Sequence, residues 1–206
     1  VTHRFADITF TDAVKAAQMR YGTRAQVERM AQRGGPNDSL GARESEFIAA
    51  RDSFYLATVS ETGWPYLQHR GGPAGFLRVV DPRRLAFADF GGNRQFISVG
   101  NVARNDRAAL FLMDYASRRR LKLLGRLSML ALGDAPAALA AQIALPDYAA
   151  PIERVAVVDI EAFDWNCPQH IAPRYTEAEM RSRLRPLQER IAALEQELAQ
   201  VRAAMR

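Results

Sequence analysis

SFYLATVSETGWPYLQHR, residues 53–70, is the stretch on which the reading of the fold turns. Upstream of Ser53 the apolar residues recur at helical spacing; here the period changes to two. SFYLATVS reads as a strand, Glu61-Thr62-Gly63 as a turn and WPYLQHR as a returning strand, a hairpin closed over three residues.

Working outward, the same signature repeats downstream. GFLRVV and RRLAFADF form a second strand pair around Asp81-Pro82, RAALFLMDY and LKLLGRLSMLAL a third across the basic run at 118–122, and RVAVVDIEAF a last strand. Helices are few and scattered. One covers 11–32, N-capped by Thr11, with Val14, Ala17, Met19, Val27 and Met30 on a face interrupted at Gly22. Gly34-Gly35-Pro36-Asn37 is a turn. A second helix covers 43–51 with Phe47 and Ile48 facing inward, and a third covers 95–103 with Phe96, Val99 and Val102 in register. DAPAALAAQIAL supplies a fourth, with Asp134 as N-cap and Pro136 in the first turn. Six or seven strands joined mostly by short turns predict an antiparallel barrel with helices attached, an α+β arrangement that is mainly β. A doubly wound sheet would alternate strand and helix, and neither a G-x-G-x-x-G nor a Walker A ending follows any strand.

The C-terminal end carries a different period. Met180, Leu184, Leu187, Ile191, Leu194, Leu198, Val201 and Met205 recur at alternating spacings of four and three, a heptad seam. Thr176 and Glu179 form a capping box at its start. With Leu184 at position a, Arg190 at g faces Glu195 at the next e, and Glu197 faces Arg202, opposite charges that suit a parallel dimer. Pro186 lies inside this helix and predicts a kink. A long amphipathic helix folded onto its own barrel is the other reading of the same pattern.

The chain has 206 residues, 48% hydrophobic and 25% charged, enough to bury a core. No apolar run is long enough to span a membrane. The opening VTHRFADITFTDAV lacks the apolar core of a signal peptide, and the lone Cys167 forbids an internal disulfide, so a cytoplasmic protein is expected. A net charge of +5 favours anionic partners. The run RRRLK leads straight into an alternating apolar strand, with neither exposed aromatics nor a helix-turn-helix beside it, so nucleic acid ranks behind a solvated turn or a small-molecule phosphate site.

His3, His69 and His170 are scattered without ligand spacing, which argues against a metal site. Cys167 reads as an inert thiol, and no serine sits in a G-x-S-x-G context. Catalytic residues are therefore not assigned. ADFGGNRQFISVGNVARND, residues 88–106, does more: a glycine pair ends a strand, and Asn93, Arg94 and Gln95 offer donors near a helix start, where the dipole favours an anion. Gln68-His69-Arg70 and Arg118–Lys122 are two further basic elements. Brought together, the three would make an anion pocket for a phosphorylated aromatic cofactor.

The order of these motifs, from SFYLATVSETGWPYLQHR through LAFADFGGNRQFISVGN and NDRAALFLMDY to RRLKLLGRL, resembles the pyridoxamine 5'-phosphate oxidase-like FMN-binding split barrels over roughly residues 45–175. The resemblance implies a split β-barrel that binds FMN at the interface of a homodimer, helped by the strands NDRAALFLMDY and RLKLLGRL. It places Gln68, His69 and Arg70 along the isoalloxazine ring, with Asn93, Arg94 and Gln95 at the phosphate. Arg120 and Lys122 reach in from across the dimer, and Asp89, Trp165 and Arg174 complete the implied cofactor-binding set. Asn-Arg-Gln stands where the vitamin B6 oxidases have Ser-Arg-Lys, and DWNCPQHIAPRY stands where they have a tryptophan followed by an Arg-x-His clamp. The chain thus resembles family members of unassigned substrate carrying W-N-C-P-Q-H-I and a heptad tail.

The implied function is an FMN-dependent oxidoreductase acting on a small molecule. A non-enzymatic flavin or haem sensor and a deazaflavin-dependent reductase are the alternatives. Three segments are expected: an N-terminal helical segment at 1–52, the FMN-binding barrel at 53–175 and the C-terminal helix at 176–206.

Overall fold

The computed structural model describes residues 3–165 and 169–205. Cys167 and the Asn-Cys-Pro part of the W-N-C-P-Q-H-I segment lie outside the described residues. The described residues form two compact units, one up to Asp114 together with Arg119 to Trp165, the other Tyr115–Arg118 with residues from 169 onward.

The first unit is built on seven strands: β1 (Ser53–Val59), β2 (Pro65–Gly71), β3 (Leu77–Asp81), β4 (Arg84–Phe90), β5 (Arg107–Asp114), β6 (Arg119–Ala131) and β7 (Ile152–Trp165). They form one sheet in the order β2-β1-β5-β6-β7-β4-β3, with every pairing antiparallel. All seven strands read from the period of two are present, and the opening hairpin pairs in register from Ser53↔Gly71 to Val59↔Pro65. With β2 and β3 at the two edges, the sheet is consistent with a split barrel.

The spine is the long pair β6–β7, in register from Leu121↔Trp165 to Ala131↔Arg154 with a shift between Leu124 and Gly125. Gly125 explains itself: a Cβ there would stand 2.5 Å from the carbonyl oxygen of Asp159 on the neighbouring strand. Strand alternation sends Phe54 and Leu56 of β1, Leu110 and Leu112 of β5, and Leu121 and Leu123 of β6 into one core with Phe76, Phe87 and Val158. β4 is buried on both faces, because Ala86 and Ala88 pack away from that core against Ile143, Val155 and Val157.

Seven helices accompany the strands among the described residues. α1 (Arg4–Thr9) has no counterpart in the sequence reading; six residues are too few to show a period, and His3 caps it through Nδ1. The helix read over 11–32 is two, α2 (Asp12–Arg20) and α3 (Arg24–Arg33), because Gly22 takes φ +72° between them. Thr11 caps α2 as expected. α4 (Ala42–Ala49) buries Phe47 and Ile48, and α5 (Ile97–Arg104) follows β4. α6 (Ala137–Ile143) starts later than read: Pro136 is its N-cap, and Asp134 sits in a preceding 3-10 turn, capping nothing. The proline fixes the start by lacking the N–H that a longer helix would need.

In the second unit, α7 (Glu177–Ala204) is one helix that runs through Pro186, with the Thr176–Glu179 capping box formed. None of its residues is buried. No helix among the described residues is long and apolar enough to cross a membrane.

Candidate functional site

Where β2, β4, the segment 92–96, the start of α5 and the start of β7 meet, they enclose a cleft of about 180 Å³. Gln68, Arg70, Asp89, Asn93, Arg94 and Gln95 all line it. Six residues of the eleven expected at a cofactor therefore share one site.

The cleft's charges are organised around Asp89, only 3% exposed. One carboxylate oxygen accepts from Arg70 at 2.5 Å and the other from Nε of Arg154 at 2.7 Å. Arg154 also donates to Glu153 at 2.8 Å and lies over the Phe96 ring, 5.1 Å from its centroid. A buried carboxylate between two guanidiniums is tolerable because each oxygen meets a cation, and each guanidinium keeps further donors for a ligand. For Arg154, burial works against its charge, but the hydrogen bonds and charges of Asp89 and Glu153 outweigh this and raise its pKa. Among the described residues, the buried Nε of Arg70 finds no hydrogen-bond partner. Arg94 adds a third cation, exposed at the cleft. Three arginines against two carboxylates leave the lining net positive.

Gly91 turns its N–H back to the carbonyl of Pro151 at 3.0 Å, so it offers no outward donor. The strained positions are its neighbours: Arg94 takes φ +59° and Phe96 φ +52°, left-handed values that cost a side-chain-bearing residue about 1–3 kcal/mol each. Phe96 is the N-cap of α5 and supplies no side-chain acceptor, so the first N–H groups of that helix are not capped by a side chain. α5 is held in place by buried polar bonds: Ser98 Oγ donates to Gln68 at 3.2 Å and Asn101 to Thr58 at 3.0 Å.

Five expected residues lie elsewhere. His69 falls on the opposite face of β2 from Gln68 and Arg70, against Tyr55, because consecutive strand residues alternate faces. Lys122 is ion-paired to Asp164 at 2.6 Å and lies over Phe5. Arg120 stacks over Phe111, and its buried Nε finds no partner among the described residues. Trp165 donates to Glu44 at 2.7 Å and packs against Phe47, Arg43 and Arg119. Arg174, in the second unit, lies over Tyr115. Conversely, Glu153, Arg154, Ser98 and Tyr66 line the cleft without having been expected there. Arg154 faces Asp89 across the β4–β7 ladder, a register that no local motif encodes.

On its other face, the sheet of β1, β2, β5 and β6 carries an apolar groove of about 470 Å³ lined by Tyr55, Ala57, Leu67, Phe111, Leu124 and neighbours. Leu67 there is 64% exposed.

Among solved structures, a pyridoxamine 5'-phosphate oxidase-type protein from Lactobacillus delbrueckii, itself described as a putative one, is 20% identical; the match covers 62% of this chain and 94% of that one at a TM-score of 0.48. An FMN-binding protein from Syntrophomonas wolfei is 13% identical over 73% of this chain and 97% of its own, with a TM-score of 0.47. An F420 reductase is 22% identical over 58% and 94%, with a TM-score of 0.41. No curated protein matches the chain. The sequence model of the family described as pyridoxamine 5'-phosphate oxidase matches residues 41–165, from the turn before α4 to the end of β7. Those residues hold all seven strands and the whole lining of the cleft, and the chain belongs to the pyridoxamine 5'-phosphate oxidase family.

Proposed function

We propose that the cleft takes the phosphate end of FMN and that the protein is a flavin-dependent oxidoreductase exchanging hydride or electrons with a small molecule. The observation that carries this reading is the convergence of Arg70, Arg94 and Arg154 beside the uncapped start of α5. Three converging cations and helix N–H groups that no side chain caps suit a phosphate monoester dianion. The buried Nε of Arg70, without a partner, fits a site with a polar ligand still to come. Bound FMN would supply the hydride chemistry at its ring; the chain's task is to hold the phosphate, orient the ring and exclude water.

The cleft is smaller than the ~300–1,000 Å³ of pockets that enclose a whole drug-sized ligand. It holds a phosphate and part of a ribityl chain, and the ring extends beyond it. The homodimer that the family resemblance implies would seat its second copy on the apolar face of β1, β2, β5 and β6, across the edge strand β2 from the cleft. Lys122 lines that face and Arg120 stacks over its Phe111, consistent with a role at a cofactor held between the copies. Gln95, where the vitamin B6 oxidases carry a lysine, supports a family member outside vitamin B6 chemistry.

The test is a titration of the purified protein with FMN and with riboflavin, which lacks the phosphate. FMN is expected to bind more tightly, and Arg94→Gly to narrow the difference. Glycine at φ +59° relieves strain while removing the cation, so the variant should be as stable as the parent or up to ~1 kcal/mol more stable. Its FMN affinity should nevertheless fall about tenfold, the lower end for a charged hydrogen bond because Arg94 is exposed. Equal affinity for FMN and riboflavin refutes the phosphate assignment. A deazaflavin or haem spectrum in the protein as purified replaces FMN with that group, and a bound flavin that no electron donor and acceptor can cycle replaces the enzyme with a sensor.

A further inference from the structure

α7 presents an apolar stripe with no cover. Met180, Leu184, Leu187, Ile191, Leu194, Leu198, Val201 and Met205 are each 38–83% exposed. A helix of 28 residues is roughly 42 Å long, and such a stripe on it is stable in water chiefly when another surface buries it. The stripe is a heptad seam, the pattern by which one helix covers another.

We infer that α7 pairs with α7 of a second copy as a parallel, in-register, two-stranded coiled coil. Three observations select this partner and this orientation. Pro186 falls at position c, outside the a/d seam, so the one helix-breaking residue removes no knob. Ile191 at a is followed by Leu194 at d, the choice that favours two strands. Flanking charges decide the direction. Parallel pairing sets Arg190 against Glu195 and Glu197 against Arg202, each twice by symmetry, giving four attractive contacts and no repulsive one. Antiparallel pairing of the same seam sets Arg190 against Glu197 twice but also Arg181 against Arg202 twice, so attraction and repulsion cancel. In the single chain, Arg190 and Glu197 approach each other only to 3.9 Å and both stay largely exposed, so neither is committed to its own helix.

This assembly does not depend on the cofactor reading, since α7 contains none of the residues that line the cleft. The experiment is disulfide trapping in the full-length chain with Cys167→Ser removing the native thiol. In a parallel coil Leu194 meets its own counterpart, so Leu194→Cys should convert most of the chain to a covalent dimer under mild oxidation. Gln196→Cys, at the outward f position two residues away, should remain monomeric on a denaturing gel. In an antiparallel coil Leu187 meets Leu198, so a mixture of Leu187→Cys and Leu198→Cys chains would trap as a heterodimer instead. That result, or equal trapping of the 194 and 196 variants, overturns the proposal, as does no trapping at 194. FMN titration of the same variants is read separately: loss of trapping with flavin retained sinks the coil alone, and trapping without flavin sinks the cofactor alone.

Discussion

Asp89→Asn isolates what holds the cleft together. Asp89 is 3% exposed and accepts from two guanidiniums, Arg70 at 2.5 Å and Arg154 at 2.7 Å, whose side chains are 16% and 20% exposed. Asparagine keeps the shape and one carbonyl acceptor, so one of the two charge-assisted bonds can survive. The other is lost, at about 1.5–3 kcal/mol for a hydrogen bond to a charged group. The two arginines retain some solvent, which keeps the loss below the ~3–5 kcal/mol of breaking a fully buried pair. For a domain of this size that corresponds to about 3–12 °C in Tm. Urea denaturation of the ligand-free protein measures it directly, with an unchanged m-value showing that only stability has moved. Asp159→Asn is the internal control: its pair with Arg84 has the same 2.7 Å geometry but is about half exposed on both sides, and its loss should cost no more than ~0.5 kcal/mol. If the two variants lose the same small amount, Asp89 is not the buried organiser of the site, and the cations are held by something else.

Two further outcomes follow from the geometry. Gly125→Ala should cost about 1–3 kcal/mol or more, since the new methyl meets a strand carbonyl at 2.5 Å, whereas Gly92→Ala, with nothing within 4 Å, should be near neutral in thermal melts. The Arg154 pKa is raised on folding, so its stabilising contribution is present at all pH values below the ordinary arginine range and is lost only as pH rises through the folded value. Arg154 therefore keeps its charge between pH 5 and 8, the range in which the phosphate of FMN titrates, near pH ~6. FMN affinity should fall from pH 8 to pH 5 while riboflavin affinity stays flat; parallel titration curves for the two ligands would contradict this.

Strand existence was legible because alternation is a local signal, and all seven strands declared themselves. Parity was legible too: it sets Gln68 and Arg70 on one face of β2 and His69 on the other, against Tyr55. Register was not legible. Arg154 enters the site because β4 and β7 pair Asp89 with it across 65 residues, and nothing near position 154 marks that partner. Backbone conformation at 94 and 96 was equally hidden, since arginine and phenylalanine are residue types that rarely take positive φ. The capping box at Thr176 was read correctly because its logic is contained within four residues.

The Asp89–Arg154 rung has a consequence for when the site can exist. Arg70 and Asp89 belong to strands made early in synthesis, yet the carboxylate reaches its full set of partners only once β7 has been made and has zipped onto β4. Contacts of such long sequence separation form late because the intervening chain must be ordered first. A nascent chain that has just produced residues 92–96 therefore carries Arg70, Asp89 and Arg94 of the cleft without their charge balance. A charge-balanced cleft therefore certifies that the barrel has been finished.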